Sequence, residues 1–115
     1  MRGINMATFD DFWGALTGAV AKLATGALAD YKAQVVADGQ AFAEKLKSDL
    51  AAWTQQLANG QIDQDELQFL INGKRVLAEL MALKQKGLAR VALDQFFNDL
   101  VNTIVTTAIK FFPKA

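Results

Sequence analysis

Residues 57–67 read LANGQIDQDEL, and this stretch decides the fold because it ends one helix and begins another. Asn59 and Gly60 both tolerate positive φ angles, so they can close a helix and reverse the chain. Asp63 then provides an N-cap, and Glu66 stands where a capping box places its acidic partner. The sequence therefore predicts a tight turn at about 59–63 with a helix on each side.

The chain before this turn has a helical period. Phe9, Val20, Tyr31, Phe42 and Trp53 are spaced eleven residues apart. Eleven residues make three turns of about 3.67 residues each, a period that keeps one face aligned along a nearly straight helix. No proline interrupts the run. We predict one helix over residues 8–58.

After the turn, apolar residues again recur at helical spacing, with early positions at Leu77, Met81, Leu88 and Val91. Pro113 discourages helix beyond the preceding residue. We predict a second helix over residues 64–112. Residues 1–115 thus form one all-α domain, a long antiparallel helical hairpin that completes a helical bundle by oligomerisation.

Two glycines support an alternative fold. Gly39 and Gly87 both resemble helix C-terminal signals, and breaks at both positions would give a compact four-helix bundle. The eleven-residue register runs unbroken across Gly39, which favours the long helix.

The two ends of the predicted hairpin differ in polarity. Charged residues near the turn, among them Lys74, Arg75, Glu79 and Lys84, are typical of a solvated face. At the open end the apolar stripe covers about half of the helical wheel, which is wider than one partner helix can bury. We expect the excess to form an interface, and its candidate residues are Phe12, Trp13, Gly14, Gly18, Val20, Phe97, Leu100, Val101, Ile104, Val105, Ala108, Phe111 and Phe112.

Composition argues against catalysis. The 115 residues include no histidine and no cysteine, which removes the commonest general base, transition-metal ligand and thiol nucleophile. Ser48 is the one serine. Twelve basic residues balance twelve acidic ones, so no net charge attracts nucleic acid. We expect no enzyme, no metal, no cofactor and no nucleic-acid partner.

These observations predict a non-enzymatic structural or scaffolding protein that self-associates, or docks on a protein partner, through its open end. The alternative is a membrane-active amphipathic hairpin that binds lipid or forms a pore. Asp10 and Asp11 stand where a signal peptide needs positive charge, and the first apolar run is short for a membrane span. We therefore expect a cytoplasmic homo-oligomer, with a membrane-associated protein or one secreted without a cleaved signal as the alternatives.

Overall fold

The computed structural model describes residues 6–113. Within this range the chain is all-α and forms no strand, which confirms the predicted class. The helices are α1 (Met6–Ala21), α2 (Lys32–Lys45), α3 (Lys47–Ala58), α4 (Gln64–Asn72), α5 (Met81–Gln85) and α6 (Arg90–Phe111), with short 3₁₀ helices at Gly26–Tyr31 and Arg75–Leu77.

The predicted turn is present. Gly60 has a φ of 75°, the left-handed conformation that lets α3 end and the chain reverse. The capping box at the start of α4 is complete. The backbone N–H of Glu66 donates to Asp63 Oδ1 at 2.8 Å, and that of Asp63 donates to Glu66 Oε1 at 3.0 Å. At the other end, α6 stops at Phe111, just before Pro113.

The predicted first helix is divided after Ala21. Thr25 is extended, Gly26 takes a φ of 55°, and the chain bends by 105° between Thr8–Ala21 and Gly26–Lys45. The bend folds α1 back so that it packs against both α2 and α6. Because a straight helix would give the apolar face of α1 fewer partners, the bend increases apolar burial.

Gly39 does not break a helix. It lies buried inside α2, and α3 follows after Leu46 alone. A Cβ atom at Gly39 would collide with Cγ1 of Val20 on α1. The glycine therefore permits close packing of α1 on α2. Gly87, in contrast, has a φ of 74° and follows the end of α5, as the alternative predicted.

The predicted second helix is divided into α4, α5 and α6. The first break contains Leu80, which has a φ of 52°. Among the described residues it is the one non-glycine residue with a positive φ. Asp38, on α2, explains this geometry. Its carboxylate is buried, with 6% of the residue exposed, and accepts hydrogen bonds from the backbone N–H groups of Ala82 (3.0 Å) and Leu83 (2.8 Å). The side chain thus caps α5 from a different helix.

One chain encloses a continuous core. The main contacts join α1 to α2 and α6, α2 to α5, and α4 to α6. The rings of Phe42 and Phe97 meet edge to face at 5.4 Å between centroids. The longest dimension is 49 Å, well short of the roughly 75 Å that straight fifty-residue helices would span. The fold is a compact helical bundle rather than an extended hairpin.

We predict that Gly39→Ala lowers the free energy of unfolding by about 1–3 kcal/mol, because the new methyl group overpacks the contact with Val20. At an exposed helical position the same change raises stability by about 0.5–1 kcal/mol. Urea denaturation measures the effect. The double variant Val20→Ala/Gly39→Ala should lose less stability than the sum of its single changes. A stabilising Gly39→Ala would contradict the close contact.

Asp38→Ala is expected to cost about 1–3 kcal/mol of stability, since the buried backbone N–H of Leu83 and the part-buried one of Ala82 lose their acceptor. Asp49→Ala is the matched control. It removes a half-exposed carboxylate whose ion pair with Lys74 is 3.7 Å long, and should cost less than about 1 kcal/mol. Equal losses for the two variants would argue against the capping role.

Candidate functional site

The structure separates the predicted interface into a buried and a surface set. Trp13 and Phe111 are half-buried, and Gly14 and Gly18 are exposed. The remaining residues lie in the core of the single chain: Phe12, Val20, Phe97, Leu100, Val101, Ile104, Val105, Ala108 and Phe112. The apolar excess of the open end is therefore covered within one chain.

Aromatic packing closes this end of the molecule. The ring of Phe12 contacts those of Phe111 and Phe112 edge to face, at centroid distances of 6.4 and 5.6 Å. Trp13 stacks on Phe9 at 6.2 Å, and Lys47 Nζ lies 4.7 Å from the centre of a Trp13 ring. These contacts join α1 to the end of α6 and to the start of α3.

A row of exposed residues remains on α1. Asp11, Gly14 and Gly18 on α1, and Lys22 in the turn that directly follows it, are spaced at steps of three and four residues and are all exposed. This spacing keeps them on one side of the helix axis, and we call them the α1 stripe. A Cβ atom built on Gly14 or Gly18 meets no other atom within 4 Å. No contact within the described chain thus requires glycine at either position.

A shallow depression borders the α1 stripe. It has a volume of about 310 Å³ and lies between α1 and the end of α6. Its α1 side is formed by Ala15, Gly18, Ala19 and Lys22, and its α6 side by Thr107, Lys110 and Phe111. Small side chains on α1 leave room here for another backbone to approach closely.

A larger depression of about 600 Å³ lies where α5 meets the start of α6, and we call it the α5–α6 groove. Its apolar lining consists of Val76, Ala78, Met81, Leu93 and Phe97. Val76 is 84% exposed and Met81 58%. Large apolar side chains this open to solvent are typical of contact surfaces when they gather in one depression.

Charged residues form the rim of the α5–α6 groove, and its acids already have partners. Asp94 Oδ1 accepts a hydrogen bond of 2.6 Å from Arg75 Nη2, and Glu79 Oε1 accepts one of 2.8 Å from Lys45 Nζ. This hydrogen bond and the charge of Lys45 hold the pKa of the Glu79 carboxyl below its usual value. Two further cations, Lys84 and Arg90, line the same depression.

Contacts from α2 hold the wall of the groove in place. Lys45 Nζ donates to the carbonyl oxygen of Leu77 at 3.2 Å as well as to Glu79. Asp38 fixes the first turn of α5 a short distance along the chain. The Arg75 guanidinium lies 4.5 Å from the centre of the Phe97 ring, so it covers the floor. The groove is therefore shaped before any partner arrives.

The sequence did not indicate this groove. Its charged residues were interpreted as part of a solvated face, and Met81 and Val91 as apolar positions of a buried stripe. Both are exposed, Val91 by 80%, because the breaks after α4 and α5 rotate these positions away from the core. No local signal separates Val76 from core positions, because Val76, Leu80 and Leu83 follow helical spacing although only the last two are buried.

Among residues 6–113, no group of three or more acidic residues is placed to hold a metal ion. Within the same residues, no one helix has both the length and the hydropathy of a membrane span, whereas the bent pair Thr8–Ala21 with Gly26–Lys45 reaches both together.

The chain matches no protein-family model, and comparisons with curated proteins and with solved structures find no match either.

Proposed function

We propose that the protein is a non-enzymatic structural module that self-associates through the α1 stripe. The observation that carries this proposal is a pair of exposed glycines inside a helix, flanked by an acid and a base, with no contact among residues 6–113 that requires them. The proposed interface keeps Gly14 and Gly18 from the predicted one and adds Asp11 and Lys22.

The glycines have a measurable cost. Glycine inside a helix destabilises it by about 0.5–1 kcal/mol relative to alanine. At Gly39 this cost is balanced by close contact with Val20, whereas Gly14 and Gly18 face open space. A second helix packed against the stripe would give them the same role, because the absence of a side chain lets two backbones approach closely.

Charge favours a second copy of α1 as that helix. In an antiparallel pair related by a two-fold axis between Leu16 and Thr17, Asp11 of one copy lies level with Lys22 of the other. Two-fold symmetry forms this ion pair twice, and the glycines face small residues of the second copy. The stripe is thus complementary to itself in one orientation, whereas a parallel pair would bring like charges together.

We predict that Gly18→Leu reduces self-association, because a bulky side chain separates the two helices. The substitution replaces a poor helix former with a good one at an exposed position, so the fold should persist. Light scattering after size exclusion measures the mass, and far-ultraviolet circular dichroism measures helix content. Ala52→Leu, at an exposed position on α3, is the matched control and should leave the mass unchanged. Equal masses for both variants would refute the interface.

Charge reversal provides a second test of the antiparallel orientation. Asp11→Lys and Lys22→Asp should each weaken association about tenfold or more, because each replaces two attractive pairs with repulsive ones. The double variant Asp11→Lys/Lys22→Asp restores opposite charges and should recover most of the affinity. Sedimentation equilibrium measures the dissociation constants. A double variant as weak as its parents would contradict the proposed orientation.

The second candidate function is the membrane-active hairpin, and the bent pair formed by α1 and the following segment favours it. Its apolar side chains, such as Phe12, Leu16 and Val20, are buried in the core and would have to leave it before they reached lipid. We therefore predict that the protein stays at the bottom of a liposome flotation gradient at physiological salt. Flotation with the vesicles would favour the membrane function over self-association.

A further inference from the structure

We propose that the α5–α6 groove is a second binding surface, which accepts an acidic amphipathic segment of a protein partner. This inference is independent of self-association, because the groove and the α1 stripe share no residue.

The shape of the groove suits a few apolar side chains. Its volume of about 600 Å³ lies within the range of known ligand sites. Val76 and Met81 are the most exposed apolar residues of its lining, and Phe97 and Leu93 extend the apolar surface inwards. Apolar anchors projecting from one face of a helix fill grooves of this kind.

The charges of the rim select an acidic partner. Glu79 and Asp94 are neutralised by Lys45 and Arg75, so neither offers a free negative charge. Lys84 makes no ion pair within 4 Å with any residue that the structure describes. Arg90 is 90% exposed, and its contact with Asp94 is 3.9 Å long. The groove therefore presents two accessible cations beside the exposed apolar side chains of Val76 and Met81.

The groove is already held in shape by contacts within the chain, and this preorganisation favours binding. Association costs free energy wherever a loop must become ordered. Here the segment between α4 and α5 is already held by Lys45, and the first turn of α5 by Asp38. A partner would therefore meet a wall that needs little rearrangement.

The test uses two synthetic peptides of about three helical turns. Both carry leucines along one face, and their polar faces consist of glutamate in one and lysine in the other. Fluorescence anisotropy with the full-length protein measures binding. The glutamate peptide should bind and the lysine peptide should not, and added salt should weaken the complex. Absence of binding by the glutamate peptide, or equal binding of both peptides, would overturn the proposal.

Variants locate the binding site. Lys84→Glu/Arg90→Glu should weaken binding of the glutamate peptide about tenfold or more. Val76→Asp removes an exposed apolar anchor and should weaken binding without unfolding the chain. Lys32→Glu, an exposed lysine outside the groove, is the control and should have little effect. Equal binding by all three variants would place the peptide elsewhere and overturn the proposal.

Two further readouts separate this proposal from its alternatives. The Lys84→Glu/Arg90→Glu variant should retain the mass of the unmodified protein, because the α1 stripe is intact. A change in mass would assign the groove to self-association and overturn the peptide proposal. Co-sedimentation of the protein with anionic vesicles, lost in the same variant, would assign the groove to lipid headgroups and overturn it equally.

Discussion

The capping of α5 by the buried carboxylate of Asp38 is the interaction on which the position of α5 and the shape of the α5–α6 groove depend. It accepts backbone hydrogen bonds from Ala82 and Leu83, more than forty residues further along the chain. A helix as short as α5 is unstable by itself in water, because too few hydrogen bonds offset the cost of nucleation. The cap supplies the missing acceptor, and it holds Leu80 in a left-handed conformation that otherwise costs about 1–2 kcal/mol.

The next residue along α2, Gly39, contacts α1 instead of α5. Gly39 has no side chain, so Val20 of α1 can lie directly against the backbone of α2. Asp38 thus binds α5, and the adjacent Gly39 allows α1 to pack closely against α2. Because α1 also packs on α6, the apolar open end is covered by the chain's own aromatic residues. What remains for other molecules is the α1 stripe and the α5–α6 groove.

The features that sequence analysis predicted are those encoded by neighbouring residues. The turn at Gly60 and the capping box of Asp63 and Glu66 each depend on a few consecutive positions, and so does the break at Gly87, which only the alternative fold included. Tertiary packing determined the features that were not predicted, such as the breaks after α1 and α4. The eleven-residue repeat continues from Val20 to Tyr31 although the helix does not, and both residues pack in or against the core.

The sequence Ala37-Asp38-Gly39 shows why the rest could not be read locally. An acid followed by glycine inside a helical pattern can indicate a helix end, but the helix continues through Gly39, as the eleven-residue register predicted. What the local sequence did not show is which distant residues these two positions contact. Asp38 contacts Leu83, and Gly39 contacts Val20. Both partners are too far away in the sequence for helical spacing to predict these contacts. The candidate interface also depended on distant parts of the chain. Its apolar stripe was too wide for one helix to bury, and several helices of the same chain cover it.

The capped start of α5 is therefore central to both the fold and the α5–α6 groove. Amide hydrogen exchange at Ala82 and Leu83, followed by nuclear magnetic resonance, tests this most directly. We predict that both amides exchange as slowly as those in the middle of α2 and α6, through global unfolding alone. Rapid exchange at both amides, with α2 and α6 still protected, would show that Asp38 does not hold α5.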